Sequence, residues 1–133
     1  MRRFLKNLPL LGLLFISGCG FIHDKEITGP YRLIAVDLIE EMSICYNLGN
    51  GDAVGRIEGT VFAYGFDQQF IVAKQHPAND RTITRYFYLD MTLDSKHADP
   101  SASVTGPLDR PAFEEARLRL KLPPFSCTID QLK

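Results

Sequence analysis

The chain has 133 residues, with 15 basic against 16 acidic side chains, three cysteines and no tryptophan. That length is one ordinary domain, which can bury about two thirds of its unfolded surface and so hold a core without a metal. The balanced charge leaves no basic stripe of the kind that binds nucleic acid, and no nucleic-acid partner is expected.

In chain order, Arg2, Arg3 and Lys6 lead into the apolar run Leu8–Ile16, and Ser17-Gly18 then precede Cys19. A basic start, a short apolar stretch and small residues are the anatomy of a secretory signal peptide. A membrane-spanning helix needs roughly 20 apolar residues, and this run is about half that. The tetrapeptide Ile16-Ser17-Gly18-Cys19 resembles a bacterial lipobox, in which the cysteine thiol receives a diacylglycerol and the chain is cut before it. The resemblance implies a signal peptide over residues 1–18, lipidation at Cys19 and a membrane as partner. One acyl chain binds a bilayer only marginally, whereas two or three anchor stably, at about 0.8 kcal/mol per buried methylene. Gly20 follows Cys19 where an inner-membrane lipoprotein would carry Asp. The implied location is the periplasmic face of an outer membrane.

Residues 20–29 are short and mostly polar, so residues 19–29 are expected to form a lipidated tether and residues 30–133 a single globular domain. Tyr31–Asp37 is rich in strand formers. Leu38-Ile39-Glu40-Glu41 suits a turn or a helical corner. From Met42 to Leu48 large apolar and small or polar residues alternate, the period of a half-buried strand, with Cys45 on the face opposite Ile44 and Tyr46. Gly49-Asn50-Gly51-Asp52 is a turn signal, because Gly and Asn accept positive φ. Further strands are expected at Thr60–Phe66, Gln69–His76 and Thr82–Leu89, with a polar loop over residues 94–102. Asp109 reads as an N-cap and Pro111 as a first-turn residue of a helix over 110–122. Its apolar stripe is Phe113, Ala116 and Leu120, widened by Leu118 and Leu122, before Pro123-Pro124 stops it. Thr-Gly-Pro occurs at 28–30 and 105–107 and reads as a turn at both places. The expected fold is α+β, mainly β: an antiparallel meander of about five strands with one C-terminal α-helix packed on it. A small closed barrel with the helix as a plug is the other arrangement.

With Cys19 given to lipid, Cys45 and Cys127 remain. In an oxidising compartment they most simply pair, which would stabilise the fold by roughly 4 kcal/mol for a loop of that length; the alternative is two buried free thiols. His23, His76 and His97 do not stand at metal-ligand spacing, and no metal or cofactor is expected. His76, His97, Asp80 and the acidic turn Asp37/Glu40/Glu41 could form a hydrolytic or metal site only by convergence in the fold; solvated positions are the simpler reading. There is no Gly-x-Ser-x-Gly elbow, and Gly49–Gly55 lacks the lysine of a phosphate loop. Phe62, Tyr64 and Phe66 share one strand face, and Tyr86 and Tyr88 another. They form either an exposed interaction platform or cross-strand core packing.

Four segments carry a wider likeness: Gly29-Pro30-Tyr31-Arg32-Leu33-Ile34-Ala35, Val61-Phe62-Ala63-Tyr64-Gly65, Ile71–Pro77 and Gly106-Pro107-Leu108. With these the chain resembles a family of small bacterial lipoproteins, a likeness that implies an anchored domain and no particular activity. Lysozyme-inhibitor lipoproteins are similar in size, anchor and β-rich character, but their Ser-Gly-x-x-Tyr segment and tryptophan are missing here. The expected function is a non-enzymatic, lipid-anchored envelope protein, a binding or interaction module facing the periplasm, with an envelope protein as a candidate partner. An immunity or inhibitor protein against a toxin or envelope hydrolase is one alternative, and a small hydrolase or metal-binding enzyme is the other.

Overall fold

Alternation of apolar and polar side chains, interrupted by Gly, Asn and Pro at short intervals, produces two antiparallel sheets. The computed structural model describes residues 21–133. The first sheet has the order β1 (His23–Thr28), β2 (Tyr31–Ala35), β3 (Ser43–Gly49), β4 (Asp52–Ile57). The second has the order β8 (Val104–Leu108), β7 (Arg85–Asp90), β6 (Phe70–Gln75), β5 (Val61–Phe66), β9 (Cys127–Thr128). One α-helix, α1 (Arg110–Leu120), follows β8.

The sheets pack face to face. Leu33, Ile44 and Ile57 of the first meet Val61, Ile71 and Leu89 of the second in one buried cluster. β6 and β7 are covered on both sides: Ile71, Ala73, Phe87 and Leu89 belong to that cluster, while Phe70, Val72 and Tyr86 pack with Phe113 and Ala116 of α1. The layers are therefore sheet, sheet and helix. Double coverage explains why Phe70–Ala73 reads as an unbroken apolar run instead of an alternation. The two sheets are stitched at one corner, where Val61 N–H donates to the carbonyl of Met42 at 2.8 Å.

The mainly β class with a C-terminal helix is as expected; the strands form two layers of four and five instead of one five-stranded meander. The difference lies in four short strands. The expected tether contains β1, which pairs with β2 from His23↔Ala35 to Thr28↔Tyr31 and buries Ile27. Its polar character is that of an edge strand with one wet face; Arg32 bonds Asp24 across it. β4 is the return strand of a hairpin whose loop, Asn50-Gly51, has φ of 56° and 82°, the two positive values of a type I′ turn. Thr28-Gly29-Pro30 is a turn, but Thr105-Gly106-Pro107 lies inside β8. Gly106 is required there: with φ of 142°, a Cβ would sit 2.5 Å from the Phe87 ring.

α1 begins as expected, with the Asp109 carboxylate accepting from Ala112 N–H at 2.9 Å. It ends two residues early, at Leu120, where Lys121 turns left-handed with φ of 58°. Phe113 and Ala116 are buried, but Leu118 is 70% exposed and does not belong to the packed stripe.

The expected Cys45–Cys127 bridge is not formed; both are free thiols. The tail does run back, but along β5, with Tyr64↔Cys127 and Ala63↔Thr128 in register on the second sheet. Ser126 N–H donates to Tyr64 O and Ile129 N–H to Phe62 O. Cys45 sits on the first sheet, opposite Gly55. The hydrogen bonds that dock the tail thus hold the two thiols in different layers. Cys19 and the signal segment lie outside the described residues.

Candidate functional site

The most organised polar group in the fold closes the open edge of the sandwich. A bulge in β4 between the pairs Ile44↔Ile57 and Cys45↔Gly55 turns Arg56 inward. The loop after β7 brings Asp94 to it. Their side chains are 1% and 0% exposed, and Arg56 Nε donates to Asp94 Oδ2 at 2.8 Å. Tyr31 donates its hydroxyl to the same oxygen at 2.8 Å, and Ser95 N–H donates to Oδ1 at 2.9 Å. Arg56 also donates to the carbonyls of Gly55 and Ser95. Its guanidinium lies 5.1 Å from the Tyr46 ring centroid, and Tyr46 meets Tyr31 edge-on. A buried arginine spends its donors best in such a planar fork, and stacking on an aromatic face adds to it.

Burial works to raise the Asp94 pKa, but hydrogen bonds from Arg56, Tyr31 and Ser95 outweigh it and hold the carboxyl below its ordinary range. Burial, followed by the bond to the Asp94 carboxylate, pushes the Tyr31 phenol above its usual value. Tyr31 is therefore neutral and Asp94 ionised throughout the neutral range. The group is a rigid, charge-matched plug and not a proton-transfer pair.

Beside it a cleft of roughly 390 Å³ opens between β4 and β8. Both strands are sheet edges. Arg56, Glu58, Gln75, Arg85 and Phe87 line it, and Pro100 and Ser101 from the loop after β7 close one side. Glu58 and Arg85 are exposed, so the mouth carries one charge of each sign. Gln75 is fixed by donating to Glu58 O at 2.7 Å. The site pairs apolar wall, two charges and unpaired strand backbone, which together suit an extended polypeptide laid along an edge. A second hollow of roughly 610 Å³ lies by Glu40, Cys45, Gly55 and Thr60. There burial raises the Cys45 thiol to about 11, so it stays protonated and unreactive at neutral pH.

The residues weighed for hydrolysis are dispersed. His76 is only 4% exposed, contrary to the solvated position expected for it. Its ring stacks on Phe62 with centroids 3.9 Å apart, and Nδ1 lies 2.8 Å from Ile83 O. That carbonyl needs a donor, so Nδ1 carries the proton. Asp80 is exposed and commits its carboxylate to Thr82, whose hydrogen bonds lower its pKa. His97 is exposed in the loop after β7, at the other end of the second sheet from His76. Among the described residues no three His, Cys, Asp or Glu side chains gather as a metal site. Asp37 and Glu41 instead close the turn before β3, where Glu41 Oε1 accepts from Asp37 N–H at 3.0 Å.

The aromatic residues are core. Phe62, Tyr64 and Tyr86 are buried, and Tyr86 stacks with Phe113 at 5.1 Å. Core packing is thus the outcome of the two readings weighed for these rings, and of the five only Phe66 is strongly exposed. Arg56 and Asp94 were invisible as a pair in the sequence, where one falls in a glycine-rich hairpin and the other in a polar loop. The single hint was a charged residue directly before Ile57 in a stretch ending in a buried position.

Comparison of the chain with protein-family models, with curated proteins and with solved structures finds no match in any of the three.

Proposed function

We propose that this is a non-enzymatic, lipid-anchored protein of the cell envelope. It faces the periplasm from the outer membrane, and its open sandwich edge receives a segment of a protein partner. Two features support this reading. The first is the run from Arg2 to Cys19, with its lipobox-like end, which supplies the anchor. The second, which carries the binding role, is the cleft between the β4 and β8 edges. Its floor is held rigid by the Arg56–Asp94–Tyr31 group, so a partner meets a preformed surface and little ordering entropy is lost on binding. An immunity or inhibitor role is one form of the same reading, with a toxin or an envelope hydrolase as the partner.

The test is crosslinking in the native envelope followed by mass spectrometry, on the wild type and on Glu58→Lys and Arg85→Glu. Both substitutions fall at exposed positions and reverse a charge at the mouth. The expected result is a stoichiometric envelope protein captured by the wild type and lost or reduced in both variants. A partner captured equally by all three would displace binding from this cleft. The lack of any captured protein would overturn the binding role.

A further inference from the structure

The first sheet starts almost at the anchor. Phe21 stands two positions after Cys19 in sequence, with Gly20 alone between them, and Ile22 N–H already donates to the carbonyls of Ala35 at 3.0 Å and Val36 at 3.4 Å. Two residues of extended chain reach at most about 7 Å. A lipid on Cys19 therefore leaves the domain no room to stand away from the bilayer. The side chains at this corner suit that proximity. Among the described residues, eight large apolar side chains are exposed, and four of them lie here: Phe21 at 37%, Ile22 at 56%, Val36 at 48% and Leu38 at 59%. They occupy two short segments joined by the Ile22 hydrogen bonds, whereas Phe66, Ile83, Leu93 and Leu118 are scattered over other elements. Exposed apolar side chains gathered on two hydrogen-bonded segments mark a surface that something covers.

We infer that this corner of the first sheet is a membrane seat, whose Phe21, Ile22, Val36 and Leu38 side chains enter the interfacial layer of the bilayer to which Cys19 is tethered. The inference rests on the proposed anchor and adds to it a fixed orientation. The charges beside Val36 and Leu38, which are Asp37, Glu40 and Glu41, are acidic, and Arg32 beside Phe21 is paired with Asp24. They offer nothing to anionic headgroups, so the seating is driven by apolar burial, the term that scales with buried area in interfacial binding. The orientation follows from strand register. His23, Ala35 and Ser43 lie at the seated end, and the paired residues Thr28, Tyr31 and Tyr46 lie toward the other end. The loop after β7, which holds Leu93 and Asp94, reaches Tyr31 near that far end.

A lipid-reactive photocrosslinking amino acid placed at Val36, at Leu38 or at Leu93 of the full chain in the native envelope tests this. Labelled palmitate followed in the same samples reads acylation separately. All three positions are exposed, so the substitutions leave the core intact. The expected result is lipid adducts at Val36 and Leu38 several-fold above those at Leu93, in a chain that carries palmitate. Equal adducts at the three positions on a palmitate-bearing chain would overturn the seat and leave the anchor standing. A chain free of palmitate would overturn the anchor and the seat together.

Discussion

Arg56→Met takes the cation out of the sandwich edge and leaves the Asp94 carboxylate buried, with only Tyr31 and Ser95 as donors. Removing one partner of a buried pair typically costs about 3–5 kcal/mol, because the surviving charge is desolvated and uncompensated. At ~4 °C per kcal/mol for a domain of this size, that is a fall in melting temperature of about 12–20 °C. Asp94→Leu should cost a similar amount by stranding Arg56. The double variant removes both charges; the Gly55 and Ser95 backbone groups it frees belong to exposed residues and turn to water, while the Tyr31 hydroxyl loses its acceptor, a loss of about 1–3 kcal/mol. It should therefore be more stable than either single variant. Urea denaturation of the mature chain, with a common m-value across the set, gives the three free energies. Simple additivity, or single losses below about 1 kcal/mol, the range of exposed pairs, would refute the reasoning. The pH dependence carries the same signature. The Asp94 pKa is depressed in the fold, so its contribution is complete above the unfolded value near ~3.9. It is lost as pH falls through the lower folded value, and the Asp94→Leu chain should lack that part of the acid limb.

Gly65→Ala should cost about 1–3 kcal/mol as an overpacking defect, since a Cβ there would sit 1.9 Å from Pro124 O; unchanged stability and undisturbed exchange protection at Ser126 N–H would count against the docked tail. Thiol titration of the unreduced, denatured mature chain should find two free thiols, Cys45 and Cys127; none would restore the bridge, and three would mean that Cys19 is unmodified. The Cys45 thiol titrates near 11 in the fold because it is buried, so the unfolded state loses its proton first. Stability should fall as pH rises from the unfolded value near ~8.5 toward 11, and a Cys45→Ala chain that keeps the whole of this loss would contradict the assignment.

Long apolar-rich elements were legible in the sequence because their local pattern and their tertiary setting agree. β5, β6, β7 and α1 all appear where strand formers, turn residues and the Asp109 cap place them. β1, β4 and β8 were not, and each for a physical reason. The first is an edge strand whose wet face carries Asp24 and Glu26, so its composition is that of a linker. The second follows an Asn50-Gly51 turn and contains Gly55, whose missing side chain removes the alternation; a Cβ there would meet open space. The third contains Gly106-Pro107, a pair that by itself marks a turn, and tolerates it because an edge strand needs only half its backbone donors. With these three and the two-residue β9 hidden, one sheet could be inferred but not two. The disulfide reading failed at the same level: compartment chemistry allows a bridge, and only the register of Cys127 on β5 forbids it.

The Arg56–Asp94 pair was hidden more deeply, because its partners are 38 residues apart and each looks ordinary in its own segment. Its position joins the stability of the domain to the shape of the cleft. Asp94 is the point at which the loop after β7 is fastened to the first sheet, through Arg56 and Tyr31, and the same loop supplies Pro100 and Ser101 to the cleft wall. Arg56 belongs to both the plug and the cleft lining. A substitution that frees Asp94 without unfolding the chain should therefore widen the cleft. The double variant of Arg56 and Asp94 provides that case. It is the more stable chain of the set, yet its loop is no longer tied down by charge, so partner capture in the envelope should fall in it while the fold persists. Capture by the double variant at the wild-type level would place the partner on another face of the sandwich.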